Sequence, residues 1–413
     1  MLRRVAGYDS GLWFATLSLL CISVYLLMTA IYFNDQVTTF FGTRQAVYAV
    51  AGCLLASVIT RFDLQSLEGK WPWMYGGMLL AICSVFVLGV TRRGARSWID
   101  LGPIDLQPSE MGKIMLMLAL AGFMVARVRD MHRASILALS LVLAAIPAFF
   151  VFIQPDLGTA QVYAVIGMSI VFFAGARWLH LAALGGTLLV VIVLAVGVLP
   201  AFGVQVLQPH QTQRLTGFLN PESDPQGANY NAIQAKITVG SGGAWGKSAT
   251  DGSQAQKGFL PEPHTDFIFA TLVERHGFAG GAVLLGLFAL LVSRCLRAVS
   301  VAPSMFGRLI CGGVAAMFTW QLLVNVGMTI GVMPITGVTL PLISYGGSSM
   351  IANLMAIGLV SNVLCSSEEA GARHARRAPS AHKTLMTLRP NAYGRESTST
   401  GGTARRRSPL ARR

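Results

Sequence analysis

Residues 266–292, DFIFATLVERHGFAGGAVLLGLFALLV, decide the fold. A carboxylate opens this segment, and the largely apolar run behind it is long enough to cross a bilayer, which takes roughly 17–25 residues. An ionisable group at a membrane boundary is costly unless it faces water, a partner or a substrate, so Asp266 is a candidate functional residue. The alternative is that Asp266 only caps the helix N-terminus, where an acidic side chain is favoured.

Similar apolar runs recur along the chain. Hydrophobic residues make up 53% of the 413 residues and charged residues 12%, whereas a soluble domain carries about 25% charged residues. We therefore predict an all-α polytopic membrane protein with about ten transmembrane helices. The predicted spans are residues 11–33, 42–60, 73–90, 111–127, 135–153, 157–175, 178–202, 266–292, 305–330 and 342–364. Only three residues separate the fifth span from the sixth, which predicts a tight helical hairpin.

The distribution of basic residues predicts the orientation. With the N-terminus inside, the inner segments carry eleven Lys or Arg and the C-terminal tail eleven more, against ten on the outer side. This asymmetry follows the positive-inside rule. The net charge of +14 then reflects topology, with both termini on the inner, cytoplasmic side of the membrane. Membrane lipids are the expected surroundings, and no nucleic-acid partner is expected.

Three segments interrupt the apolar pattern. Residues 1–365 are predicted as the transmembrane domain, with residues 203–265 as one large extracytoplasmic loop. This loop is too long to be an ordinary connection, so we interpret it as a structured lid or groove wall, with a short amphipathic or re-entrant helix near 230–239. Residues 366–413 are rich in Arg, Ser, Thr and Gly and are predicted to be a disordered basic tail, either drawn to the anionic inner leaflet or simply solvated.

The third segment, residues 91–110, places positive charge on the predicted outer face. Its arginines are Arg92, Arg93 and Arg96. This exception to the charge rule has three explanations: an anionic ligand, internal ion pairs with neighbouring acids, or an incorrect topology. Trp98 and the alternating Ile and Leu residues favour a stretch that lies along the membrane surface.

Four polar clusters stand at helix starts on the predicted outer face. They are Gln107-Pro108-Ser109-Glu110, Gln154-Pro155-Asp156-Leu157-Gly158-Thr159, His264-Thr265-Asp266 and Pro341-Leu342-Ile343-Ser344-Tyr345-Gly346-Gly347-Ser348-Ser349. Helix N-termini bind anions such as phosphate, and carboxylates there can bind a divalent cation or act as a base. Glu110 and Lys113 are three residues apart and could pair on one helix face. For each cluster alone, capping is the simpler explanation.

The same motifs resemble the SEDS family of cell-shape, elongation, division and sporulation proteins. The resemblance covers residues 10–364 and rests on the clusters above, on Phe259–Ala270, on Phe218-Leu219-Asn220-Pro221 and on Pro334–Ser348. Gly240-Ser241-Gly242-Gly243 with residues 252–256 is more similar to RodA, the elongation member, than to FtsW, the division member. The chain departs from the family pattern after Glu274, where Arg275 stands in place of the second acid that is common in the family.

The resemblance implies an inverting peptidoglycan glycosyltransferase that polymerises lipid II on the outer face of the bacterial cytoplasmic (inner) membrane. A class B penicillin-binding protein would supply the transpeptidase. Asp266 matches the essential acid of the family, and Glu110 and Lys113 match its neighbouring acid and lysine. A base is needed for the acceptor hydroxyl and positive charge for the departing diphosphate, optionally with Mg²⁺ or Mn²⁺ near Asp266 and Glu110; no organic cofactor is expected. The candidate substrate-binding residues are Arg92, Arg93, Arg96, His264, Thr265, Asp156, Ser344, Tyr345 and Ser348.

Two other classes of function remain open at this point. A flippase for lipid-linked precursors would also need polar groups beside membrane helices, but it predicts ionisable residues near the membrane midplane. A non-catalytic scaffold for a partner protein is the third possibility. The acids of this sequence gather at one face, which favours surface chemistry over translocation.

Overall fold

The computed structural model describes residues 8–29, 35–92, 95–100, 102, 105–130, 133–176, 179, 182, 186, 217–218, 229–247 and 258–377. Its helices are α1 (Ser10–Thr29), α2 (Asp35–Arg61), α3 (Trp71–Leu88), α4 (Pro108–Val125), α5 (Ala134–Ile153), α6 (Leu157–Phe173), α7 (Tyr230–Ser241), α8 (Ile268–Val301), α9 (Met305–Ile330) and α10 (Gly347–Arg377). Short 3₁₀ helices cover Leu64–Lys70 and Val128–Asp130, and three strands, β1 (Val90–Arg92), β2 (Ala95–Asp100) and β3 (Asp105–Leu106), lie between α3 and α4.

The helices confirm the predicted all-α membrane architecture. Within the described residues, eight helices are long and apolar enough to cross a membrane, and Leu157–Phe173 is a shorter apolar helix. Nine of the ten predicted spans coincide with these elements. The tenth, 178–202, lies almost entirely outside the described residues. The predicted helix near 230–239 is α7.

The centre of the bundle is formed by α4, which packs against α3, α6 and α9 and is buried on almost every face. The close approach of α6 needs a glycine, because a Cβ on Gly112 would collide with the Tyr163 hydroxyl. That hydroxyl donates a 2.8 Å hydrogen bond to the carbonyl of Ser109. The first turn of α4, which carries the predicted polar cluster, is thereby fixed against the α5–α6 hairpin.

The segment after α3 is a small sheet, and its position along the membrane surface stays a prediction. Strands β1, β2 and β3 pair antiparallel in chain order, with Val90 opposite Trp98 and Ile99 opposite Leu106. Ser97 is buried and its hydroxyl donates to the carbonyl of Gln154 at 3.0 Å. The alternation of apolar and polar residues therefore has the period of a strand, and the sheet packs against the hairpin tip.

Helix α8 is divided by a kink at Gly277, whose φ of 67° and ψ of −166° are non-helical. The amides of Phe278 and Ala279 bind the carbonyls of Gly243 and Ala244 at 2.8 and 3.1 Å, so the loop after α7 replaces the missing helical bonds. The remaining 278–301 still exceeds the roughly 20 residues needed to span a bilayer. Glu274 therefore belongs to the short first segment, which accounts for a charge inside a predicted span.

Three predicted boundaries need correction. Helix α8 begins at Ile268 and not at 266, and a turn carries Asp266. Helix α10 begins at Gly347 and not at 342, because residues 331–346 form an irregular segment in which Leu342 has a φ of 62°. Helix α10 also continues to Arg377, past the predicted start of the disordered tail, whereas residues 378–413 lie outside the described residues.

Candidate active site

The four polar helix starts meet around one cavity of about 970 Å³. This convergence could not follow from any single cluster, each of which is explained by capping when it is taken alone. The predicted site residues that line the cavity are Glu110, Lys113, Asp156, His264, Thr265, Asp266 and Tyr345. The cavity therefore combines carboxylates, a lysine and several helix N-termini in one place.

The predicted Glu110–Lys113 pair is confirmed. Lys113 Nζ lies 2.6 Å from Glu110 Oε2, and the two side chains are only 1% and 6% exposed. Pro108 in the first turn of α4 fixes the backbone that carries them. Charges buried to this degree are tolerated only when they are paired, so the pair is a structural requirement of α4 as well as a potential reactive group.

Asp156 caps α6 and also faces the cavity. Its Oδ1 accepts a 2.9 Å hydrogen bond from the amide of Thr159, and its Oδ2 accepts one of 2.9 Å from Gln107 Nε2. Burial raises the pKa of this carboxyl, while the bond from Thr159 opposes the rise. The capping interpretation is thus confirmed for Asp156, which links the start of α6 to the start of α4.

Asp266 is held in a different way, since Phe267 and not Asp266 occupies the N-cap position of α8. Three consecutive carbonyls of its turn each accept a hydrogen bond from a distant part of the chain. The amide of Tyr345 donates to His264 O at 2.9 Å, the Ser344 hydroxyl to Thr265 O at 2.7 Å, and Asn325 Nδ2 to Asp266 O at 2.9 Å. We call this arrangement the carbonyl clamp. It fixes the backbone of Asp266 at the edge of the cavity.

The irregular segment that supplies two of these donors is itself anchored. Gln45 Nε2 donates to the Ser344 carbonyl at 3.1 Å and to the Ser23 hydroxyl at 2.9 Å, and that hydroxyl donates to the Ile343 carbonyl at 2.6 Å. Asn325 Nδ2 also donates to the Val338 carbonyl at 2.8 Å. These bonds stabilise a backbone in which Leu342 adopts the left-handed conformation that costs on the order of 1–3 kcal/mol.

Two predicted serines lie behind the cavity wall. The Ser344 hydroxyl, besides its bond to Thr265, accepts from the amide of Leu340 at 2.8 Å. The Ser348 hydroxyl accepts from the amide of Gln107 and donates to the Asp105 carbonyl, both at 3.0 Å. Neither serine is among the residues that line the cavity. Their contacts brace the wall, and their role as substrate-binding residues stays a prediction.

The three predicted arginines are not placed against the cavity by the described contacts. Arg93 lies outside the described residues, and only the backbone of Arg92 and Arg96 is described, on strands β1 and β2. Their sheet leads directly into β3, where Asp105 lines the cavity. Their role in anion binding stays a prediction.

Sequence reasoning missed the contribution of α2. Arg44 lines the cavity, and its guanidinium lies 4.5 Å above the Phe40 ring. Burial raises the pKa of Tyr345, and the neighbouring Arg44 guanidinium opposes that rise. Phe41 packs against His264 and Tyr345, with ring centroids 4.6 and 4.8 Å apart. The available signal was an arginine in the first turn of a predicted span.

The described residues contain no group of three or more His, Cys, Asp or Glu side chains arranged to hold a metal ion. The two predicted metal ligands, Glu110 and Asp266, nevertheless line the same cavity. Two carboxylates suit Mg²⁺ or Mn²⁺ mainly when substrate phosphates complete the coordination. A divalent cation therefore stays a prediction that depends on the substrate.

Comparison with known proteins gives consistent matches. Residues 10–369 match the family model for FtsW, RodA and SpoVE, described as cell cycle proteins. The chain is 38% identical over 314 residues to the peptidoglycan glycosyltransferase MrdB of Escherichia coli K12, which covers 76% of this chain and 82% of that protein. It is similar to a chain of a peptidoglycan synthase complex that coordinates polymerization and crosslinking, with a TM-score of 0.74 and 33% identity. That match covers 88% of this chain and 99% of the other chain. The rod-shape-determining protein RodA of Thermus thermophilus gives a TM-score of 0.63 and 31% identity, and the match covers 87% of this chain and 97% of RodA.

The Glu110–Lys113 pair predicts a specific stability pattern. Lys113→Met should lower the free energy of unfolding by about 3–5 kcal/mol, because it leaves the Glu110 carboxylate buried without a counter-charge. Adding Glu110→Gln should recover most of this loss, since both charges are then absent. Thermal unfolding of the purified protein in detergent measures both effects.

The matched control is Arg133→Met. Arg133 and Asp130 have the same spacing and a 3.2 Å contact, but their side chains are 73% and 43% exposed. An exposed pair contributes about 0–1 kcal/mol, so this variant should unfold near the wild-type temperature. Equal effects of Lys113→Met and Arg133→Met would contradict the structural role of the buried pair.

Proposed function

Because the chain belongs to the FtsW, RodA and SpoVE family of cell cycle proteins, we propose that its cavity is the active site of a peptidoglycan glycosyltransferase that polymerises lipid II into glycan strands. The observation that carries the proposal is the clamped turn, which brings the Asp266 carboxylate to a cavity that also contains Lys113 and Arg44. The chain is a multi-pass bacterial membrane enzyme that acts in cell elongation and shape maintenance. The similarity to MrdB and RodA supports this role over one in division.

The reaction joins the acceptor and donor sugars through a new glycosidic bond. The acceptor 4-hydroxyl oxygen attacks the anomeric carbon of the donor, the bond from that carbon to the lipid diphosphate breaks, and the diphosphate takes the bonding electrons. Asp266 accepts the hydroxyl proton as general base. Attack from the side opposite the leaving group inverts the configuration at the donor carbon.

The leaving diphosphate needs positive charge. Lys113 and Arg44 are the lysine and arginine that line the described part of the cavity, and the N-termini of α4 and α6 add the positive ends of two helix dipoles. Glu110 orients Lys113 through their 2.6 Å contact. Arg92, Arg93 and Arg96 are additional candidates for this role, and Mg²⁺ or Mn²⁺ bound to the diphosphate would supply further charge near Glu110 and Asp266.

The same geometry argues against the flippase alternative. The acids of the cavity stand at helix starts, and the kink at Gly277 assigns Glu274 to the short segment before the membrane-spanning part of α8. A translocation path would need ionisable groups near the membrane midplane. A site at one boundary suits a lipid-carried substrate whose head group reacts outside the hydrocarbon core.

The proposed partner is a class B penicillin-binding protein that crosslinks the strands made here. The similarity to a chain of a synthase complex that couples polymerization to crosslinking supports this partnership. The site would then face the extracytoplasmic side, where lipid II and the partner's transpeptidase domain are available. Both termini are proposed to be cytoplasmic, in agreement with the basic inner segments.

The base assignment predicts the behaviour of Asp266→Asn. This variant keeps the size of the side chain and the backbone acceptor of the carbonyl clamp but cannot take a proton. Polymerisation of lipid II by the purified protein with its partner should fall by a factor on the order of 10²–10⁴, while thermal stability and partner binding stay near wild type. Asp130→Asn, the same change at an exposed acid, serves as the control. A wild-type rate for Asp266→Asn would refute the assignment.

The proposed orientation predicts which introduced cysteines can be labelled. Val332 and Ser66 are both exposed, on the segment after α9 and on the 3₁₀ helix before α3. In a background without native cysteines, Val332→Cys should react with an impermeant thiol reagent in intact cells, because it faces outside. Ser66→Cys and Ser380→Cys should react only after the membrane is permeabilised. The reverse pattern would overturn the extracytoplasmic site.

A further inference from the structure

Two side-chain oxygens of the cavity wall have no donor. Gln321 Oε1 and Thr336 Oγ1 are both buried and make no hydrogen bond with the described part of the chain. Both residues line the cavity, and Gln321 is only 2% exposed. Neither belongs to a charged pair, a cap or the carbonyl clamp.

Such atoms are uncommon in folded proteins. Most buried side-chain oxygens have a partner, because leaving one without a donor costs free energy. These two oxygens border a cavity that is large enough for a sugar ring, so a bound molecule can supply the donors. Both side chains are neutral, in contrast to Lys113 and Arg44 on the same cavity lining.

The position of Gln321 restricts what that molecule can be. Gln321 lies one helical turn before Asn325 on α9, and residues four apart share a helix face at about 5–6 Å. Asn325 is the residue that binds the Asp266 carbonyl. Thr336 lies beside the start of α6, where its carbonyl would contact a Cβ placed on Gly158. Both acceptors therefore belong to the wall of the cavity that Asp266 also lines.

We propose that Gln321 Oε1 and Thr336 Oγ1 form a sugar-binding subsite. The two oxygens accept hydrogen bonds from the neutral hydroxyl and acetamido N–H groups of the sugar that reacts at Asp266. The subsite rests on the proposed glycosyl transfer and adds a recognition role for two neutral side chains of its cavity. The reacting sugar is the part of lipid II whose hydroxyl must lie beside Asp266 for proton transfer. The diphosphate has no hydrogen-bond donors. The peptide is attached farther from the reacting atoms than the hydroxyl and acetamido groups of the reacting sugar.

Isosteric variants test the subsite. Gln321→Met and Thr336→Val keep the size of the side chain and remove the acceptor. Each should raise KM for lipid II about tenfold, the factor expected for one lost hydrogen bond, with a smaller change in kcat. Initial rates are measured with the full-length protein and its partner in detergent. Thr329→Val is the control, because Thr329 is equally buried on α9 but its hydroxyl binds the Asn325 carbonyl at 2.7 Å.

Substrate analogues identify the group that is bound. Lipid II molecules that each lack one sugar hydroxyl or acetamido N–H, and one with a shortened peptide, are assayed with both proteins. A sugar analogue that weakens the wild type but not Gln321→Met or Thr336→Val supports the subsite. The subsite is overturned if the effects of the variants and of the analogues on KM are non-additive for the peptide analogue alone. It is also overturned if both variants have the wild-type KM. If Gln321→Met does not fold, the KM of Thr336→Val decides whether the subsite exists. A wild-type protein that makes no polymer refutes the proposed glycosyl transfer itself.

Discussion

Three hydrogen bonds to consecutive backbone carbonyls hold the turn that carries Asp266, and the arrangement of the cavity depends on them. The donors are Tyr345, Ser344 and Asn325, which come from the irregular segment and from α9. Because the clamp binds backbone atoms, it fixes the position of the carboxylate without using its oxygens. Positioning of this kind matters for catalysis, since a displacement of about 1 Å can reduce a rate by about 10²-fold. The buried Gln45 network extends the constraint to α1 and α2.

Much of the fold could be predicted from the sequence, because bilayer thickness fixes the length of an apolar helix. The α5–α6 hairpin followed from three residues between two apolar runs, and the Glu110–Lys113 pair followed from a spacing that places both side chains on one helix face. The four polar helix starts were also visible as motifs. Local geometry was sufficient in each of these cases, and the family resemblance supplied the chemistry.

The remaining features depend on contacts between distant parts of the chain. Nothing near Asn325 in the sequence indicates that its amide binds the Asp266 carbonyl, and the arginine of α2 gave only a weak signal of its place at the cavity. The kink at Gly277 requires the carbonyls of the loop after α7, which no pattern within α8 contains. The late start of α10 follows from a left-handed Leu342, a conformation that local propensity disfavours.

The central claim is that the carbonyl clamp places Asp266 for proton transfer, and Asn325→Ala tests it most directly. The measurement is the initial rate of lipid II polymerisation as a function of substrate concentration, beside the Thr329→Val control on the same helix. The clamp predicts that Asn325→Ala lowers kcat about tenfold or more while KM stays nearly unchanged, in a protein that remains folded and bound to its partner. A kcat equal to that of Thr329→Val would contradict the claim.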